Sequence, residues 1–137
     1  MEFTQGVRFD SLGLSPEIMR AIGQRRIEES TPVQAGCIPP MMEWRDVIAK
    51  APTGTGKTFA YGIPIVEHVE PENESVQAVI LAPTRELAIQ ITDEMRDLAT
   101  YKPGVRMVCL YGGAPIGRQI DALKKHPQIV VATPGRL

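Results

Sequence analysis

The run Ala51-Pro52-Thr53-Gly54-Thr55-Gly56-Lys57-Thr58 constrains this chain more than any other stretch, because it is a glycine-rich turn closed by Lys-Thr directly after the short run Asp46 to Lys50. Glycines at 54 and 56 let the backbone turn tightly and bring its N–H groups against an anion with no Cβ in the way. A helix starting at the Lys-Thr pair would point its positive end at the same place. Lys57 adds a mobile point charge for the β- and γ-phosphates, and the Thr58 hydroxyl is a ligand for the accompanying Mg²⁺. The pattern predicts a strand, a phosphate-binding turn and a helix in that order, with Thr53, Gly54, Thr55 and Gly56 as the cradle. The general form of this turn opens with Gly, and Ala51 stands in that place.

Beyond the turn the chain alternates between extended and helical patterns, which predicts a mostly parallel sheet covered by helices on both faces. Gln77 to Ala82, Arg106 to Leu110 and Gln128 to Ala132 are apolar runs of strand length, and Val47-Ile48-Ala49 makes a fourth. Thr58 to Val69, Arg85 to Ala99 and Pro115 to Lys124 carry helical spacing, with a kink expected at Pro64. Upstream, Leu14, Ile18, Ala21 and Ile22 share a helical face after the start signal Ser15-Pro16-Glu17, and a second short helix begins at Thr31-Pro32. These two predict a small helical flap beside the phosphate turn.

The 137 residues suffice for one core, and 43% hydrophobic residues is ordinary for a globular chain. A formal net charge of −1 excludes a global electrostatic footprint for nucleic acid, so any such binding must come from local donors and helix termini. The two cysteines, Cys37 and Cys109, are far apart in apolar contexts and read as buried free thiols. No run reaches the length of a membrane span, and the start lacks a signal peptide's order, so a cytoplasmic chain is expected. His68 and His126 read as solvated, and Trp44 as an anchor beside the flap.

Several further motifs stand in order along the chain. Arg26 to Gln34 ends in Thr31-Pro32-Val33-Gln34. Pro83-Thr84-Arg85-Glu86-Leu87-Ala88 comes after a predicted strand, then the doublet Gly112-Gly113, then Thr133-Pro134-Gly135-Arg136. A glutamine amide pairs a donor with an acceptor, so Gln34 suits adenine and rejects guanine. Pro83-Thr84-Arg85 puts free backbone N–H groups, a hydroxyl and a guanidinium where a strand end meets a helix start, a set suited to a backbone phosphate. Thr133 with Arg136 repeats that set at the next strand end. Taken alone, Arg85 and Arg136 fit a structural ion pair as well.

From about Phe9 to Leu137 the chain resembles the DEAD-box family of ATP-dependent RNA helicases, including the alanine at position 51. The resemblance implies a three-layer RecA-like fold whose sheet is truncated, preceded by a Q-motif region at 8–36 and an ATP-binding domain at 38–137. It implies ATP or ADP with Mg²⁺ as cofactors, Lys57 and Thr58 as catalytic residues, and a nucleotide site that adds Phe9, Ile27, Thr31 and Gln34 to the cradle. Single-stranded or short duplex RNA would run over Pro83, Thr84, Arg85, Gly112, Gly113, Thr133, Pro134, Gly135 and Arg136, held by its backbone. The sequence departs from the family's pattern at Ile27, usually an aromatic that stacks on adenine, and at Ser30, often proline. The Asp-Glu-Ala-Asp and Ser-Ala-Thr segments and the second RecA-like domain of such helicases are not in these 137 residues. The chain alone is therefore expected neither to hydrolyse ATP at a useful rate nor to unwind RNA, and to be prone to self-association through unpaired strand edges. The alternative is a nucleotide- or RNA-binding module without catalysis.

Overall fold

The computed structural model describes residues 7–52 and 56–137. It divides into two compact units, one reaching His68 and including Asp97–Lys102, the other made of Val69–Arg96 and Pro103–Leu137.

The first unit is helical. After a single 3-10 turn at Phe9–Ser11 come α1 (Pro16–Gln24), α2 (Pro32–Met42) and α3 (Lys57–His68). Both flap helices begin as their sequences dictate. Ser15 accepts the Ile18 N–H ahead of Pro16, and Thr31 accepts the Gln34 N–H ahead of Pro32. The apolar face of α1 buries Ile18, Ala21 and Ile22, and α2 packs Val33 and Cys37 against Ala60 of α3. Burying a Val side chain stabilises by about 1.5–3 kcal/mol, so Val33 and Cys37 hold α2 on α3. Glu67 of α3 then receives the Ser15 N–H at 2.9 Å and the Ser15 hydroxyl at 2.5 Å, a carboxylate at a helix N-terminus. Lys102 Nζ donates to the Val66 and Glu67 carbonyls at the end of α3. α3 is continuous through Pro64, which is buried.

The second unit holds β1 (Ala78–Leu81), β2 (Met107–Leu110), α5 (Ile116–Leu123), β3 (Ile129–Ala132) and most of α4 (Arg85–Leu98). The strands form one parallel sheet in the order β1-β3-β2, so the last strand inserts between the first two. Val79, Val130 and Val108 lie in register, as do Leu81, Ala132 and Leu110. All four residues of β3 are buried, as a central parallel strand demands. Gln128, fully buried just ahead of β3, takes the Arg106 N–H on its carbonyl and donates to the Pro71 and Gly104 carbonyls. One side chain thus ties its own loop to two others at the start of the sheet.

One expectation about the sheet fails. Val47-Ile48-Ala49 is not a strand, and among the described residues the sheet has three strands. A strand exists only where a neighbour accepts its ladder bonds, and this run belongs to the helical unit; Val47 packs on the α2–α3 cluster while Ile48 is 87% exposed. Nor is the sheet covered evenly. α5 packs Ala122 over Val108, Leu110, Val130 and Ala132, but the β1 residues on that same face, Val79 and Leu81, are 50% and 56% exposed. α5 lies against the β2 side of the sheet, which leaves β1 on that face uncovered.

Candidate functional site

The candidate residues fall into two groups, one in each unit. In the helical unit the centre is Gln34. It is the third residue of α2, and its side chain closes a capping box in which Oε1 accepts the Thr31 N–H at 2.9 Å. Its Nε2 donates to the Gly56 carbonyl at 3.1 Å. Gln34 is 4% exposed, so the amide expected to face adenine is here turned inward, joining the flap to the phosphate turn. Gly56 has φ +80°, and a Cβ built on it would lie 2.2 Å from Gln34 Nε2. The position therefore needs glycine twice over, for its backbone angle and for this close approach.

Immediately after Gly56, Lys57 opens α3 with its side chain exposed, and Thr58 comes next, half-buried. The Gly56 carbonyl also takes the Ala60 N–H, as the first bond of that helix. Thr53, Gly54 and Thr55 lie outside the described residues. What is described fits a bound phosphate and its cation. Gly56 leaves the turn without a Cβ there, an exposed ammonium stands at the helix start, and beside it is a hydroxyl of the type that ligates Mg²⁺.

Phe9 is fully buried and its N–H donates to the Glu28 carbonyl; Ile27 is half-buried on the same segment. Ser30, the departure from proline, is used in full. Its hydroxyl accepts the Val7 N–H at 3.0 Å and donates to the Val7 carbonyl at 2.7 Å, and its own N–H donates there as well. Proline has neither group. His68 is not solvated as expected. It stacks on Trp44 with centroids 3.9 Å apart and planes 9° from parallel, and its Nε2 donates to the Met42 carbonyl. Trp44 is itself 78% exposed, so it is a lid on His68 and not a buried anchor.

In the sheet unit the candidates cluster where the strands end. Thr84 accepts the Leu87 N–H and so starts α4, with Arg85 as its first residue. The Arg85 guanidinium lies 4.9 Å from the centre of the Tyr111 ring, beside exposed Gly112 and Gly113. After β3, Thr133 donates its N–H to the Leu110 carbonyl and receives the Arg136 N–H, closing a turn over Pro134 and Gly135. Arg136 reaches the Ala114 carbonyl and Gln119 Oε1, at 3.5 and 3.3 Å. Gln119, 7% exposed, donates in turn to the Tyr111 carbonyl. The three motifs are thus brought together at one end of the sheet, bridged by Tyr111 and Gln119, neither of which the sequence singled out. A glutamine on the buried face of an amphipathic helix was the available signal. Cys37 is buried and burial pushes its thiol up from the usual value, whereas Cys109 is only half-buried.

The family model described as DEAD/DEAH box helicase matches residues 31–137. The chain is 54% identical over 129 residues to the DEAD-box ATP-dependent RNA helicase CshA of Geobacillus kaustophilus, covering 94% of this chain and 27% of that protein. To CshA of Bacillus subtilis it is 50% identical over 131 residues, covering 96% and 26%. It thus spans about a quarter of the length of these relatives. Among solved structures, a DEAD box protein from the hyperthermophile Methanococcus jannaschii superposes with a TM-score of 0.87 at 42% identity, covering 94% of this chain and 35% of that one. The DEAD-box helicase Mss116 bound to ssRNA and UDP-BeF gives 0.86 at 41%, covering 95% and 29%. With the profile spanning the capping box of α2, the phosphate turn and every motif of the sheet unit, the chain belongs to the DEAD/DEAH box helicase family.

Proposed function

We propose that this chain is the nucleotide-holding part, and a portion of the RNA-holding part, of an ATP-dependent RNA helicase. The observation that carries this reading is Gln34, whose one amide caps the flap helix through Thr31 and reaches the Gly56 carbonyl in the phosphate turn. On this reading ATP with Mg²⁺ supplies the transferable phosphoryl group and its counter-charge. Lys57 neutralises the β- and γ-phosphates, Thr58 holds the cation, and Thr53 to Gly56 cradle the anion. Gln34 exchanges its bond to Gly56 for the adenine edge, with Ile27 and Phe9 backing the base. Residues 8–36 form the adenine-reading segment and 38–137 the start of the ATP-binding domain. Arg85, Thr84 and Pro83, the Gly112-Gly113 doublet and the turn from Thr133 to Arg136 hold RNA by its phosphates, which reads no sequence. Mss116, a similar protein, carries ssRNA in its complex.

Hydrolysis needs a carboxylate to position water and arginines to stabilise the transition state, and an arginine finger alone is worth about 10³–10⁵ in rate. The relatives are about four times as long as this chain. By itself the 137-residue chain is a binding half-site.

Calorimetric titration with Mg²⁺-ADP, Mg²⁺-GDP and Mg²⁺-UDP tests the nucleotide reading. ADP heat with GDP excluded is expected. The UDP arm is needed because Mss116 was bound to UDP-BeF, so a pyrimidine is compatible with that protein's site. Equal affinity for all three would remove Gln34 from base selection, and no heat with any would remove the half-site.

A further inference from the structure

β2 lies at the edge of the sheet, and its free side is not a flat ribbon open to any strand. The Arg106 carbonyl accepts from Gln128 and Ile129, and the Leu110 carbonyl from Thr133, so alternate residues 106, 108 and 110 face β3. The peptide groups of Met107 and Cys109 therefore point the other way. On that side they line a cavity of about 570 Å³, walled by α4 and α5 and roofed by the loop from Tyr111 to Pro115. Its volume lies within the range of roughly 300–1,000 Å³ usual for small-molecule sites. Arg85, Arg96 and Arg118 line it against a single carboxylate, Asp93, which pairs with Arg96 at 3.9 Å. The cavity prefers an anion. Its lining includes Arg85 and Gly113, two residues already assigned to the phosphate track, with the Arg85 guanidinium over the Tyr111 ring.

We propose that this trough at the edge of β2 is a subsite for one unpaired nucleotide of the bound strand, turned off the phosphate track between α4 and α5. The inference rests on the RNA-holding reading above. Its phosphate meets Arg85 and Arg118, its base stacks on the Arg85–Tyr111 pair, and the outward N–H and C=O groups of Met107 and Cys109 meet the base edge. A peptide strand is the other occupant that an open edge suggests, but β2 is four residues long and only two of them face outward, too few for a ladder. Base contact here adds to the track what phosphate contacts lack, a preference among nucleotides at one position.

Cys109 lines the trough and Cys37 is 4% exposed, so alkylation reports on the site with an internal reference. The 137-residue chain is treated with iodoacetamide, with and without oligouridylate of roughly 12 nucleotides, a length within the span of single-strand sites. Binding is tracked in parallel by fluorescence anisotropy. Alkylation at Cys109 is expected to slow about fivefold or more when the oligonucleotide is bound, the low end of what one stacked base contributes. Arg118→Ala, on the exposed side of α5, is expected to remove that protection while the oligonucleotide still binds. Unchanged alkylation in a chain that binds the oligonucleotide overturns the subsite and leaves the RNA-holding reading standing. Absence of binding overturns both, and protection by an acidic hexapeptide but not by RNA overturns the nucleotide in favour of a peptide.

Discussion

The two units of this chain specify their candidate sites by different means. In the helical unit the site is a set of side chains bonded to the backbone of other positions: Gln34 to Thr31 and Gly56, Ser30 to Val7, Glu67 to Ser15. In the sheet unit the motif residues are mostly exposed and are gathered because three parallel strands end together, with Arg136, Gln119 and Tyr111 as the chief side-chain tie. A site of the first kind is sensitive to the identity of single residues within it. A site of the second kind depends on the strands beneath it.

The comparison breaks most visibly under Ile129→Ala, which deletes a fully buried side chain from the central strand. The expected loss is about 2–5 kcal/mol in urea denaturation, with oligonucleotide binding lost although no phosphate contact has been touched. If binding survives with the stability loss, strand packing does not build that site. Gly56→Ala is the counterpart in the other unit. Its φ of +80° costs an alanine about 1–3 kcal/mol, and the new methyl collides with Gln34 Nε2. ADP affinity should fall below detection in calorimetry while oligonucleotide affinity stays within about twofold, since the sites draw on separate residues. Ser30→Ala leaves the Val7 N–H without its acceptor and should cost about 1 kcal/mol, whereas Ser30→Pro, the family's frequent residue, also removes the Ser30 N–H bond. Proline giving equal or higher stability in thermal melts would show that chain stiffness outweighs those bonds.

The smallest effect concerns pH. Burial raises the Cys37 thiol above its usual 9.0, so the unfolded chain loses that proton first and stability falls as pH rises through the window above 9.0. Lys102 opposes this, because desolvation, partly offset by Glu67 and Glu17, lowers its ammonium below 10.5 and favours folding as pH rises there. Comparing Cys37→Ala with the unaltered chain cancels the lysine. The variant should show a flatter decline of stability above pH 9, and parallel curves would mean that the thiol does not titrate differently on folding.

Much was legible from local rules. Ser15-Pro16 and Thr31-Pro32 carry their own start signals, and both helices begin there. The apolar runs at 78–81, 107–110 and 129–132 are strands within a residue or so of the expected bounds. Val47-Ile48-Ala49 has the same composition and is not a strand, because composition supplies the preference but not the neighbour that accepts the hydrogen bonds. His68 looked polar and solvated in sequence, yet its partner Trp44 stands 24 positions upstream, beyond the reach of any local pattern.

The sequence by itself determined which residues have phosphate, adenine and strand-end chemistry, because that chemistry belongs to residue type and short spacing. Only the tertiary structure decided that the Gln34 amide is held by Gly56, that the Ser30 hydroxyl is bonded to Val7, and that the peptide groups of Met107 and Cys109 face a cavity between two helices. These outcomes rest on partners brought together across 22 or more positions by the closing of a core. Distance in space, not order in the chain, sets whether a donor meets an acceptor.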